Sequence, residues 1–176
     1  LKVVITNYPE DKTEYFNPAR HPKIPEMGIR KVPFSREIYI DHEDFREDPP
    51  PNYFRLAPGK EVRLRYAYVI RCDKVIYDSK GRVSELRCTY DPKTKSGAKT
   101  EGRKVKGIIH WVSAKDSVQV EVRLYDRLFA KPIPGSDDPE GNFLNDINHN
   151  SIDILSECKL EPEIMTSANK EVFQFE

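Results

Sequence analysis

The chain has 176 residues, of which 38% are hydrophobic and 33% are charged, and this length suits one domain or two small ones. Cys72, Cys88 and Cys158 are widely spaced and lie in no CxxC or Cys/His pair, so they favour reduced thiols over a disulfide scaffold or a zinc site. No apolar run approaches the roughly 18 residues that cross a bilayer. We therefore expect a soluble, cytoplasmic chain without a membrane partner.

The net charge is zero, but the charges are unevenly distributed. Residues 55–106 contain 15 Lys and Arg against 6 Asp and Glu, whereas residues 134–176 contain 2 against 10. A basic block of this kind is typical of a surface that meets an anionic partner. It is equally typical of a solvated surface, so charge alone leaves both interpretations open.

The first predicted elements are short and extended. Residues 1–7 and 36–41 read as strands, and Asp41 is placed to cap a brief helical turn that runs through Phe45. Between the two strands, the proline-rich residues 15–33 predict an extended crossing. Proline lacks a backbone N–H and pushes the residue before it toward extended geometry, which disfavours a helix there.

Residues 61–70 alternate between apolar and basic side chains, which predicts one half-buried strand. Arg63 and Arg65 would share its outward face, about 7 Å apart by the rise of a strand. That spacing is similar to the separation of neighbouring nucleotides. Tyr66 and Tyr68 would lie on the opposite face, in the core.

The rest of the chain also reads mainly as strands. Residues 74–77 and 82–90 flank a turn at 78–81 and predict a hairpin, and a mobile polar loop is expected at 91–101. Further strands are predicted at 105–114, 117–124, 152–160 and 171–176, with short helical turns at 141–147 and 163–168. About nine strands, short connections and no βαβ alternation indicate an all-β fold built from barrels.

Catalytic and metal-binding motifs are absent from the sequence. It contains no GxSxG, HExxH, Walker A or GxGxxG pattern. None of its four histidines lies near a Cys or Ser at the spacing of a catalytic or metal-binding motif. Neighbouring acidic residues occur in turns, where we expect them to face solvent. We therefore expect this chain to carry no catalytic site, metal or cofactor of its own, and a small hydrolase has little support.

Arginine and aromatic residues instead point to RNA. Unpaired bases stack on aromatic or guanidinium planes and accept paired hydrogen bonds from arginine. Residues 53–55, Tyr-Phe-Arg, precede Arg63 and Arg65 and offer this combination. Arg103, Lys104 and Lys106 are better suited to phosphate contacts. A protein-interaction barrel whose basic block meets an acidic partner is the alternative.

Several runs of sequence resemble the C-terminal anticodon-binding region of the glutaminyl-tRNA synthetase family. They cover nearly the whole chain in order: residues 21–28 (HPKIPEMG), 32–35 (VPFS), 59–65 (GKEVRLR), 102–107 (GRKVKG), 109–114 (IHWVSA), 122–129 (VRLYDRLF) and 173–176 (FQFE). The resemblance implies two β-barrels related to the ribosomal protein that binds 5S RNA. Residues 1–39 and 109–176 would form the proximal barrel, and residues 40–108 the inserted distal barrel.

The resemblance also implies a larger parent enzyme. That enzyme would join glutamine to tRNA(Gln) with ATP and Mg in an upstream catalytic domain, outside this chain. The partners implied are that domain and the anticodon stem-loop of tRNA(Gln), with no DNA and with a monomeric state. A related glutamate-specific or nondiscriminating synthetase shares this barrel architecture and remains an alternative.

The resemblance carries roles to individual positions. Arg63 matches an arginine that reads the first anticodon base, Gln174 a glutamine at the second base, and Arg55 an arginine at the third. Asn52 and Arg65 occupy neighbouring matched positions, Lys23 stands where some relatives have Asn, and Phe54 where some have Lys. The second-base pocket of the family also uses arginines before residue 1 and after residue 176, so we expect this chain to hold only part of it.

Overall fold

The computed structural model describes residues 1–97, 105–168 and 172. Their secondary structure consists of eleven strands and five short 3-10 turns. The strands are Lys2–Ile5 (β1), Glu14–Phe16 (β2), Val32–Phe34 (β3), Glu37–Tyr39 (β4), Glu61–Leu64 (β5), Val69–Tyr77 (β6), Val83–Asp91 (β7), Ile108–Ile109 (β8), Val112–Ser113 (β9), Val118–Tyr125 (β10) and Ile152–Leu160 (β11). The 3-10 turns are Pro25–Met27, His42–Asp44, Pro92–Thr94, Phe143–Asp146 and Pro162–Thr166. The predicted strand at 171–176 lies outside the described residues.

Seven strands form one sheet in the order β8-β5-β6-β7-β1-β4-β9. Strand β1 lies inside this sheet, parallel to β7 and antiparallel to β4. Its residues Val3, Val4 and Ile5 are all buried, as expected for a central strand that is covered on both faces. A separate antiparallel pair joins β2 to β3, and another pair joins β10 to β11.

The two edges of the seven-stranded sheet are consecutive in sequence. Strand β8 pairs with β5 at one edge and β9 pairs with β4 at the other, and only His110 and Trp111 separate them. Because three peptide steps span at most about 10 Å, the edges must lie close together and the sheet curls into a barrel-like wall. The predicted all-β fold is confirmed, but the single strand predicted at 105–114 is wrong because the chain crosses there between the two edges.

Aromatic rings fill the interior of this sheet. The ring of Phe34 lies 5.0 Å from Tyr8, 5.1 Å from Trp111, 5.5 Å from Tyr68 and 5.9 Å from Phe16, measured between ring centroids. Most of these pairs meet edge to face, a geometry that contributes about 0.5–1.5 kcal/mol beyond the burial of area. The predicted core position of Tyr68 is confirmed, since the residue is 5% exposed.

Residues 61–70 form two strands and a turn, so the single strand predicted there is wrong. Strand β5 ends at Leu64, the chain reverses, and the backbone N–H of Leu64 donates to the carbonyl of Tyr68 at 2.8 Å. Tyr66 occupies the turn with a φ of 64°, a backbone conformation that residues other than glycine rarely adopt. Arg65 belongs to this turn and does not share a strand face with Arg63.

The hairpin predicted around residues 78–81 is confirmed between β6 and β7. Asp78 Oδ1 accepts hydrogen bonds from the backbone N–H groups of Lys80 at 2.8 Å and Arg82 at 2.9 Å, while Gly81 supplies the positive φ that the turn requires. Farther along the same ladder, Cys72 lies directly opposite Cys88, and both free thiols are buried.

The chain divides into two compact units, one formed by residues Leu1–Val118 and Leu160–Glu176 and the other by Gln119–Lys159. Strand β10 enters the second unit at Gln119, and along it half-buried valines alternate with exposed polar residues as far as Arg123, whereas Leu124 is exposed. Its connecting loop is held by Asp146, which accepts from the backbone N–H of Gly135 at 2.8 Å and lies 2.9 Å from Lys131 Nζ. The predicted barrel boundaries, 1–39 with 109–176 and 40–108, stay a prediction.

Candidate nucleic-acid interface

Arg63 is held by both its backbone and its side chain. It lies on β5 and is half-buried, with its N–H donating to the carbonyl of Gly107 at 3.0 Å. Its guanidinium donates from Nη1 to the carbonyl of Thr94 at 2.9 Å. The long side chain therefore has a defined direction at the end of the sheet.

Arg55 is exposed but anchored by a buried carboxylate. Its Nη1 lies 3.2 Å from Oδ1 of Asp44, a residue that is 8% exposed and ends the 3-10 turn capped by Asp41. The side chain of Asp41 accepts from the N–H of Glu43 at 2.8 Å, which confirms the predicted cap. Burial raises the pKa of the Asp44 carboxyl, and the adjacent charge of Arg55 opposes that shift.

Gly107 brings the segments of these two arginines together. A Cβ built at this glycine would lie 1.7 Å from the carbonyl oxygen of Phe54, so the backbone before Arg55 runs directly against residue 107. The carbonyl of Gly107 accepts the hydrogen bond from the backbone N–H of Arg63, and Lys106 Nζ lies 5.0 Å from the ring centroid of Phe54. We call Phe54, Arg55, Arg63 and Lys106 the basic cluster.

Arg65 lies beside this cluster in the turn after β5. Its backbone N–H donates to Ile109 O at 3.0 Å, and its carbonyl accepts from Trp111 Nε1 at 2.9 Å. The guanidinium lies 5.9 Å from the ring centroid of Tyr66, and the guanidinium of Arg30 lies 5.2 Å from the same ring. A tyrosine ring attracts cations at such distances. The guanidinium groups of Arg30 and Arg65 therefore both contact the ring of Tyr66.

A carboxylate balances part of this positive charge. Arg30 Nε lies 2.9 Å from Oε2 of Glu161, and His110 Nε2 lies 3.5 Å from Oε1 of the same residue. Burial acts to raise the pKa of Glu161, but the hydrogen bonds from His110 and Arg30 outweigh it and the net pKa is lowered. Glu161 is therefore held in its ionised form, and Arg30 belongs to an ion-pair network.

The remaining predicted site residues either form no hydrogen bond or ion pair with the basic cluster among the described residues or lie outside the described part of the chain. Asn52 is exposed in a turn with a φ of 70°, and Lys23 is exposed with its backbone N–H donating to His21 Nδ1 at 3.1 Å. Within residues 1–97 and 105–168, neither of these two side chains forms a hydrogen bond or ion pair with the cluster. Arg103, Lys104 and Gln174 lie outside the described residues.

Three residues that support the site were not assigned to it from the sequence. The sequence indicates Asp44 only as part of a capped turn, and Thr94 falls within the predicted mobile loop. Gly107 carried a usable signal, because a glycine inside a predicted strand often marks the close approach of another backbone.

The described residues contain no group of three or more His, Cys, Asp or Glu side chains that would hold a metal ion. In the same part of the chain, no helix has both the length and the apolar character that a membrane crossing requires.

Comparison with known families accounts for most of the sequence. Residues 1–91 and residues 108–176 each match a family described as tRNA synthetases class I (E and Q), anti-codon binding domain. The chain therefore belongs to the anticodon-binding domains of the class I glutamate and glutamine tRNA synthetases.

Individual relatives are similar along the whole chain. Over 176 residues it is 55% identical to glutamine--tRNA ligase of Pseudomonas putida, 56% to that of Ectopseudomonas mendocina and 53% to that of Azotobacter vinelandii. Each match covers 100% of this chain and 31% of the relative. The chain thus spans about a third of the length of these curated relatives.

Proposed function

We propose that this chain is the C-terminal part of a glutamine–tRNA ligase and recognises the anticodon of tRNA(Gln). The observation that carries the proposal is the basic cluster, in which two anchored arginines, a lysine and an exposed aromatic ring lie on adjoining backbone segments. Planar guanidinium groups and an exposed aromatic ring on adjoining segments suit bases that have been splayed out of a loop. The resemblance of the surrounding sequence supports the same function.

Within this proposal the residues take distinct roles. Arg63 reads the first anticodon base and Arg55 the third, while Lys106 contacts phosphate. Arg65, Asn52 and Lys23 contribute neighbouring contacts. Gln174 is proposed for the second base and Arg103 and Lys104 for phosphate, as positions outside the described residues.

The rest of the reaction belongs to the remainder of the ligase. That part would bind ATP and Mg and join glutamine to the acceptor end of the tRNA. We propose a monomeric protein that acts in the cytoplasm and contacts neither DNA nor membrane. The glutamate-specific alternative is less favoured, because the relatives named here are glutamine--tRNA ligases.

Chemical footprinting of tRNA(Gln) bound to the full-length ligase tests the proposal. We expect all three anticodon bases to change reactivity toward base-specific probes, because each leaves the loop stack and enters a protein pocket. A ligase variant that lacks the whole of this 176-residue chain serves as the control and should leave the anticodon as reactive as in free tRNA. Identical anticodon reactivity in free and bound tRNA would reject anticodon recognition and favour the protein-interaction alternative.

A further inference from the structure

The 3-10 turn Pro92–Thr94 is tightly fixed beside Arg63. Asp91 caps this turn, because its Oδ1 accepts the N–H of Lys93 at 2.9 Å. The hydroxyl of Thr94 donates to the carbonyl of Asp91 at 2.6 Å and accepts from the N–H of Val69 at 2.8 Å. Thr94 is only 8% exposed, so its hydroxyl is committed to two hydrogen bonds in a buried position.

These bonds connect the turn to three neighbouring strands. Arg63 on β5 pairs with Val69 on β6, and Val69 pairs with Asp91 at the end of β7. Thr94 bonds to all three of these residues: its hydroxyl binds Val69 and Asp91, and its carbonyl accepts from Arg63 Nη1 at 2.9 Å. The guanidinium is therefore fixed relative to the sheet by a residue 31 positions away in the chain.

We propose that Thr94 is a positioning residue for base recognition, which holds the guanidinium of Arg63 in the orientation that meets the RNA. This inference rests on the proposed function. The hydrogen bond to Thr94 uses Nη1, and in this proposal the edge of the planar fork formed by Nε and Nη2 meets the base. Ordering a long side chain before binding reduces the entropy lost when the base arrives.

The test compares discrimination at single anticodon bases in the full-length ligase. Thr94→Val keeps the shape of the side chain but leaves the buried N–H of Val69 without its acceptor, so the turn and its carbonyl shift. We expect the affinity ratio between tRNA(Gln) and a tRNA altered at the first anticodon base to fall about 3- to 10-fold. The ratio for a change at the third base, assigned to Arg55, should stay constant.

Matched variants separate positioning from general damage. Thr94→Ser keeps the hydroxyl and should restore the ratio at the first base. Adding Thr94→Val to Arg63→Ala should produce no further loss, because the two residues act through one contact. If Thr94→Val does not fold, Asp91→Ala loosens the same turn by removing its cap and should lower the same ratio to a smaller extent.

Two outcomes overturn the inference in different ways. If Arg63→Ala lowers discrimination at the first base while both turn variants leave it unchanged or weaken all tRNAs equally, the role of Thr94 is rejected and the proposed function stands. If Arg63→Ala itself leaves discrimination unchanged at every base, the assignment of Arg63 fails and the positioning role fails with it.

Discussion

Replacing Arg63 with alanine is expected to lower discrimination at one anticodon base by about 5- to 150-fold, which corresponds to the loss of about 1–3 kcal/mol from a paired hydrogen bond to a base. The position is sensitive because its backbone and guanidinium are both anchored, to Gly107 and Thr94. Binding of the full-length ligase to tRNAs altered singly at each anticodon base measures the effect. We expect the loss at the first base alone.

Two further variants show what Arg63 contributes. Arg63→Lys keeps the positive charge but loses the planar fork, so it should discriminate nearly as poorly as alanine. Arg71→Ala removes an equal charge from an exposed side chain on β6 and should weaken all tRNAs slightly and equally. If Arg63→Ala also weakens every tRNA equally, Arg63 contacts only the phosphate backbone and the assignment to a base is wrong.

Replacing Gly107 with alanine is expected to destabilise the 176-residue chain by about 1–3 kcal/mol or more, the usual cost of forcing extra atoms into a packed region. The new methyl group would lie 1.7 Å from the carbonyl oxygen of Phe54, and no side chain can yield there because the contact is with backbone. Urea unfolding, followed by the fluorescence of the single buried Trp111, measures the loss.

Gly81→Ala is the matched control for that substitution. A Cβ at residue 81 meets nothing within 4 Å, and the only cost is the positive φ of the exposed turn, about 1–2 kcal/mol.

In the full-length ligase, Gly107→Ala should also weaken discrimination at the first and third bases, because it displaces the segments of Arg63 and Arg55. If Gly107→Ala unfolds at the same urea concentration as the unsubstituted chain, the backbones at residues 54 and 107 move apart without loss of stability, and the prediction is wrong.

Much of the fold follows from the sequence pattern, but the points where the chain reverses or crosses between sheet edges do not. Alternation of apolar residues located most strands, and the residues at 78–81 marked the β6–β7 hairpin. The same alternation runs through residues 61–70 although the chain reverses at Tyr66, because Val62 and Leu64 before the turn and Tyr68 and Ile70 after it are buried in one core. Residues 105–114 are likewise mostly apolar while the chain crosses between sheet edges.

The candidate site was only partly accessible to sequence reasoning. Arginine beside aromatic residues indicated RNA binding, and the resemblance placed Arg55 and Arg63. The groups that hold them were not visible: Thr94 acts on Arg63 through its carbonyl, which every residue possesses, and Asp44 acts on Arg55 through a contact made only after folding. Spacing along the chain carries little information about such contacts.

The affinity of the unsubstituted full-length ligase for tRNA(Gln) and for its single-base anticodon variants tests the central claim most directly. The measurements belong at one fixed ionic strength, since phosphate contacts alone make binding strongly dependent on salt. We predict that a change at any one anticodon base weakens binding by about 5- to 150-fold. Equal affinity for every variant would contradict anticodon recognition and leave the basic cluster as a surface that binds phosphate without reading sequence.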